Sequence, residues 1–292
     1  MGFLALLLSI LLSLTPRLAP QPVELAVAER AEKGTLTIDL EPAGKKEDIA
    51  LPPVQGPPGR PLVVLDPGHG GYDPGAHSHY NDRDEKEVTL ELAKAIRDDL
   101  LASGRVRVAL TRDDDRYLVL RDRYEIARRL GAGLFISIHA DAAPNNDRAR
   151  GATIYTLSEV ASGREAALLA QQQNKSDIIG GVDLRRQDQA VSSILIELAQ
   201  RESMADSAQF AKLLHREALP YFPFRPEWHQ FASLIVLKAP DMPAILFESG
   251  YLTNPQDSAY IQSEDGRRQI ASGMRRAIEA HFARRLIRTA GR

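Results

Sequence analysis

Leu62-Val63-Val64-Leu65-Asp66-Pro67-Gly68-His69-Gly70-Gly71 is the stretch on which the reading of this sequence turns. Four apolar residues without alternation are what a strand covered on both faces requires. The run stops at a carboxylate and opens into a glycine-rich turn carrying a histidine. Upstream, Leu51-Pro52-Pro53-Val54-Gln55-Gly56-Pro57-Pro58-Gly59-Arg60-Pro61 reads as a linker, because proline lacks the amide donor and glycine costs backbone entropy. Before it, Gln21 to Ala50 is polar, with one strand-like alternation at Thr35 to Leu40. Phe3 to Leu14 is an apolar run of twelve residues with serine as its only relief. A spanning helix needs about 20 apolar residues, so residues 1–20 read as a signal peptide or N-terminal apolar segment. No Lys or Arg precedes the run and no small-x-small site follows it, so an uncleaved anchor also fits.

Downstream, strands and helices alternate. Asp84 to Ser103 places Val88, Leu92, Ala95, Ile96 and Leu100 near a 3.6 period and closes on Gly104, which predicts an amphipathic helix. Val106 to Leu110 is a strand, Leu118 to Leu130 a helix ended by Gly131, and Leu134 to Ile138 and Ala152 to Leu157 are strands. A helical stretch over Gly163 to Leu219 breaks near Gly180-Gly181. Strands at Leu234 to Leu237 and Ala244 to Phe247 follow, and a basic helix from Gly266 to Ile287 closes the chain. This order predicts an α/β domain over residues 62–287, with one mixed, mostly parallel sheet flanked by helices on both faces and a helical insertion over residues 163–219.

Composition narrows the function. Lys plus Arg count 37 against 39 Asp plus Glu in 292 residues, so no basic excess favours nucleic acid as a partner. The mixed run Arg112-Asp113-Asp114-Asp115-Arg116 reads as a solvated loop. The absence of cysteine excludes disulfides, thiolate metal sites and cysteine nucleophiles. The sequence sets no oligomeric state, and monomer is the default reading.

In open α/β sheets functional groups gather past the carboxyl ends of strands. Those positions hold His69, His139-Ala140-Asp141 and Glu248-Ser249-Gly250, with Glu85 in the first turn of the helix that follows the glycine-rich turn. Imidazole and carboxylate suit zinc, and three protein ligands with an open position suit a hydrolytic one. Taken singly, His139 also reads as a satisfied core histidine, and Glu85 as a residue complementing the helix dipole. Glu248 after an apolar strand is harder to explain structurally, since an unpaired buried carboxylate is costly.

Leu65 to Gly71 with Asp73-Pro74-Gly75-Ala76 resembles the opening signature of the zinc-dependent, cell-division type N-acetylmuramoyl-L-alanine amidases. Glu85 to Leu90, Phe135 to Asp141 and Val236 to Asn254 are similar to three further segments of that family, in the same order, so the likeness covers about Pro61 to Phe282. The resemblance implies His69, Glu85 and His139 as zinc ligands and Glu248 as general base. It also implies peptidoglycan as substrate, export to the periplasm, and a role in wall remodelling and daughter-cell separation. In this subgroup a helix covers the zinc cleft until an activator moves it, and Leu169 to Val182 resembles that region. Members can place a glutamate where this chain has Gln173; a neutral amide is a weaker zinc ligand, so cover here is expected to be steric. Ser193 to Ala199 is then the expected apolar face for an activator, a LytM-type protein without its own metal. The rival readings are a zinc carboxypeptidase-like peptidase, which shares the His, Glu, His ligand set, and a non-catalytic wall-binding module. The occupation of all four positions by competent residues argues against the second.

Overall fold

Val63 and Leu65 of the opening strand face one side of a sheet and Leu62 and Val64 the other, and all four are buried. The computed structural model describes residues 49–143, 146, 148–179 and 194–290. The apolar run Phe3 to Leu14, the alternation at Thr35 to Leu40 and the glycine pair Gly180-Gly181 lie outside the described residues. Among the described residues, no helix is long and apolar enough to cross a membrane.

In chain order the elements are β1 (Leu62–Pro67), a short ladder of β2 (His77–Ser78) and β3 (Arg83–Asp84), α1 (Glu85–Ser103), β4 (Arg107–Leu110), α2 (Leu120–Arg129), β5 (Leu134–Asp141) and β6 (Ala152–Leu157). There follow α3 (Arg164–Asn174), α4 (Ser176–Ile179), α5 (Ile194–Ala218), β7 (Phe224–Ala232), β8 (Ala244–Tyr251), α6 (Pro255–Gln262) and α7 (Glu264–Ala290). The main sheet has the order β4-β1-β5-β8-β6-β7. β4, β1, β5 and β8 run parallel, β6 is antiparallel to β8, and β7 is parallel to β6. The fold is therefore α/β with a mixed, mostly parallel sheet, as the alternating pattern predicts.

Period-two alternation along the strands divides the core in two. Val63, Leu65, Ile136, Ile138, Ile245 and Phe247 pack under α1, α5 and α7, where Leu92, Ile96, Phe210, Leu214, Met274 and Ile278 meet them. Leu62, Val64, Phe135, Tyr155 and Leu246 face α2 and α3, which supply Ala127, Ala166 and Leu169. Burying each large aliphatic or aromatic side chain contributes about 1.5–3 kcal/mol, so both faces hold the sheet. The polar ends of the strands belong to the second face: Asp66, Ser137, His139 and Glu248 continue its alternation. α1 forms where its apolar stripe predicts, and Gly104 ends it at φ 65°, with its N–H on the Leu101 carbonyl at 3.0 Å.

Two expectations need correction, and one element is added. Leu234 to Leu237 does not form a strand; Ile235–Leu237 is a 3₁₀ turn whose Leu234, Val236 and Leu237 are buried against the second face. The strand there is β7, whose Arg225, Pro226 and Glu227 hide it from any apolar pattern. Among the described residues it pairs only with β6, and an edge strand tolerates proline. The Arg112 to Arg116 run is not wholly solvated: its last four residues are exposed, but Arg112 is fully buried. Finally, α6 precedes the closing helix. Asn254 caps it, its side chain accepting from the N–H groups of Gln256 and Asp257 at 3.0 and 3.1 Å, with Pro255 at the first helical position.

Candidate metal centre

The centre is built on the turn after β1. Asp66 is fully buried and accepts from Thr111 Oγ1 at 2.5 Å, Ser137 Oγ at 2.7 Å and Arg123 Nη1 at 3.1 Å. Beyond it the backbone turns too sharply for its carbonyls to find sheet partners, and two buried guanidiniums take them. Arg112 donates to Pro67 O at 3.0 Å and Gly68 O at 2.7 Å, and Arg123 donates to Pro67 O at 2.9 Å and His69 O at 2.8 Å. His69 itself sits at φ 60°, a conformation that a side chain with a Cβ seldom adopts and that the surrounding bonds impose. A Cβ on Gly68 would lie 2.3 Å from His139 Cε1, so only glycine lets that imidazole lie against the turn.

Glu85 joins the three segments. It begins α1, and its carboxylate accepts from Ala76 N–H at 2.8 Å and Ala140 N–H at 3.0 Å. Its Oε2 is 3.1 Å from His69 Nε2 and its Oε1 is 3.0 Å from His139 Nδ1. The two imidazoles meet edge to face with centroids 4.9 Å apart. One donor atom from each of His69, Glu85 and His139 lies within 4.8 Å of the others, and all three residues are buried. Asp73 Oδ2 is 2.9 Å from His69 Nδ1, which leaves Nε2 as the outward atom; that atom is buried without a hydrogen-bond partner. A buried lone pair beside a carboxylate and a second imidazole fits a divalent cation. Without one, a proton serves: burial lowers the His69 pKa, yet Glu85 and Asp73 outweigh it and carry it up to about 9. Burial holds His139 below the usual histidine value.

Glu248 stands directly opposite His139 in the β5–β8 register and opposite Thr153 on its other side. It is 1% exposed, and both carboxyl oxygens lack a hydrogen-bond partner among the described residues. Burial, then Asp141 and Glu85, push its pKa well above the carboxylate range. Gln173, near the end of α3, is buried and lines one cavity with His69, Asp73, His139, Arg123 and Val236. Its neighbours dock that helix end. Asn174 accepts from Ile235 N–H at 2.9 Å, and Asp177 Oδ1 accepts from Tyr117 Oη at 2.7 Å and Leu120 N–H at 2.9 Å. Of the segment from Ser193 to Ala199, Leu198 is 53% exposed, while the side chains of residues 193–197 are outside the described ones.

The remaining histidines stand apart from the cluster. His77 pairs with Asp84 at 2.9 Å, His79 lies beside His77, His215 stacks on Trp228, His229 meets Thr156 Oγ1 at 3.0 Å, and His281 packs on Phe210. Sequence reasoning passed over Asp66, Asp73, Arg112 and Arg123 as working parts. Asp73 was within reach, since a carboxylate four residues past a histidine in a tight turn can return to its ring.

Residues 63–280 match the family described as N-acetylmuramoyl-L-alanine amidase. The chain belongs to that amidase family. Among similar proteins, the amidase AmiA of Escherichia coli strain K12 is 34% identical over 77% of this chain and 77% of its own. AmiC of Escherichia coli O6:H1 is 34% identical over 89% of this chain, and AmiC of Neisseria meningitidis serogroup B is 37% identical over 77%. The chain spans 61% and 55% of the length of those two relatives. Among solved amidases, AmiC2 of Nostoc punctiforme superposes with a TM-score of 0.57 at 26% identity, covering 77% of this chain and 98% of that one.

Proposed function

We propose that this chain hydrolyses the amide bond between N-acetylmuramic acid and the L-alanine of the peptidoglycan stem, with a zinc ion held by His69, Glu85 and His139. Family membership supports the reaction class. The observation that carries the reading is Glu248: a buried carboxyl with two unpartnered oxygens, in register with His139, beside a buried His-Glu-His cluster. An uncompensated buried carboxyl is costly, and a general base facing a reaction space explains it. Zinc in that cluster would supply Lewis acidity and lower the pKa of water to about 7. A cation held there would favour the ionised form of Glu248, which takes the proton of the attacking water and delivers it to the departing alanine nitrogen. Asp73 holds the His69 ring in one tautomer throughout.

The reading extends to an exported, periplasmic, monomeric enzyme of wall remodelling and daughter-cell separation, with residues 1–20 as its signal peptide and residues 62–287 as its catalytic domain. We infer that α3 covers the centre through Gln173 as a steric plug, and that a LytM-type activator lifts it by the face around Leu198. Gln173 lining the same cavity as His69 and His139 supports the cover.

The test is digestion of purified sacculi by the zinc-loaded protein and by Gln173→Ala, with mass spectrometry of the products. Glycan strands free of peptide and stems ending in intact L-alanine are expected. Products cut within the stem would replace the amidase reading with the peptidase one. Glu248→Gln should keep its zinc and lose hydrolysis by at least about a hundredfold.

A further inference from the structure

The end of β8 carries a second polar group that the proposed hydrolysis does not use. The β5–β8 register runs His139 opposite Glu248, then slips so that Asp141 stands opposite Tyr251, with Gly250 at φ 143° absorbing the irregularity. Opposed residues share a face, so the slip turns Tyr251 toward the side of the sheet that bears the metal cluster. There its hydroxyl meets Arg225 of β7, whose guanidinium also lies 5.7 Å from the Tyr251 ring centroid. Both hold Glu165, at the start of α3. Arg225 Nη1 donates to its Oε1 and Nη2 to its Oε2 at 3.1 Å, while Tyr251 Oη donates to Oε1 at 3.2 Å.

A two-pronged guanidinium with a phenol alongside is a carboxylate receptor. The two partners are unlike in burial. Tyr251 is 1% exposed and the Arg225 side chain 16%, whereas the Glu165 side chain is 59% exposed. An ion pair that only docked a helix at such exposure would contribute little, at most about 1 kcal/mol. A receptor of one buried and one mostly covered side chain, with an exposed carboxylate resting in it, is the arrangement of a site with a removable guest. Its position gives the guest's class. Glu165 and Gln173 lie on one helix, at 1.5 Å per residue roughly 12 Å apart, and Gln173 lines the cavity of the metal cluster. An extended peptide covers roughly that distance in about four residues.

We propose that Arg225 and Tyr251 bind a carboxylate of the substrate's stem peptide, and that Glu165 fills this receptor as its stand-in while α3 is seated. The proposal rests on the amidase reading for the substrate. Arg225 is thereby a specificity-determining residue, and the stem carboxylate takes the place of Glu165 once α3 is lifted.

The test uses the zinc-loaded full chain and its variants Arg225→Met, Tyr251→Phe and Glu165→Gln. Calorimetry measures binding of a synthetic stem tetrapeptide headed by L-alanine, with its carboxylates either free or amidated. Kinetics are run on muropeptides of the same two kinds. The wild type should bind the free form about 10- to 100-fold more tightly than the amidated form. Arg225→Met and Tyr251→Phe should remove that preference while leaving the amidated peptide's affinity unchanged, and Glu165→Gln should tighten the free form several-fold. Equal weakening of both peptides by Arg225→Met, or weaker binding in Glu165→Gln, would show a helix-docking pair and overturn the proposal. A Gln173→Ala protein that prefers the free tetrapeptide yet cleaves no muropeptide defeats the amidase reading alone. One that cleaves both muropeptides equally and shows no preference in binding defeats the receptor alone.

Discussion

Arg123 and Asp66 form an ion pair at 3.1 Å with both side chains almost wholly buried, and the same guanidinium holds the carbonyls of Pro67 and His69. The pair fixes the turn that carries a candidate ligand, so the centre and the core share one anchor. Removing one member of a buried pair strands the other, at a cost of about 3–5 kcal/mol. Arg123→Met should lower the urea midpoint accordingly, while Asp113→Asn, in the exposed part of the neighbouring charge run, should stay within about 0.5 kcal/mol of wild type. Equal effects at the two positions would mean that the pair is dispensable.

Gly68→Ala tests the close approach of the turn to His139. The new methyl would collide with the imidazole at 2.3 Å, so the ring must leave its place beside Glu85. Zinc affinity, measured by competition with a chromophoric chelator, should fall at least about tenfold, as for other losses of ligand orientation. Unchanged affinity would remove His139 from the ligand set.

Asp177 ties the α3–α4 segment to the start of α2 through Tyr117 and Leu120. Asp177→Ala should release that end of the cover and raise basal hydrolysis of sacculi, with zinc content unchanged. A folded variant with wild-type or lower basal activity would show that the segment does not restrain the enzyme.

His281 supplies a pH dependence of stability away from the metal cluster. Burial, then Arg285 and Arg284 on its own helix, lower its pKa from 6.5 to about 4, and Phe210 packs on its ring. A folded pKa below the unfolded one means that the unfolded chain binds the extra proton. The contribution is therefore complete above about pH 6.5 and is lost as pH falls towards 4. At 1.36 kcal/mol per unit, the loss is on the order of 3 kcal/mol. His281→Leu should show a correspondingly smaller drop in urea midpoint between pH 7 and pH 4. An identical drop in both proteins would assign the acid sensitivity to other groups.

Much of this centre can be read from the chain because its parts sit where sheet topology puts functional groups. His69, His139 and Glu248 each follow an apolar strand, and Glu85 opens a helix whose period is plain. The supporting shell is harder to read. Whether an arginine is solvated or buried depends on carbonyls that a turn has left unpaired, and Arg112, next to three aspartates, gives no local sign of it. β7 escapes for a related reason: an edge strand has one free flank and needs no apolar run. Leu234 to Leu237 misleads in the opposite sense, since four apolar residues fit a buried turn as well as a strand. Asn254-Pro255 carries the signature of a helix start, a capping side chain followed by proline at the first helical position.

The three candidate donors come from a turn after one strand, the first residue of a helix and the far end of another strand, and only the side-by-side zipping of β1 and β5 gathers them. An unfolded chain, or one that has begun to melt, has those donors scattered. Competence therefore arrives and departs with the sheet in a single step. A metal held by those donors stabilises only the folded sheet, so chelation should be felt as a lowered melting temperature.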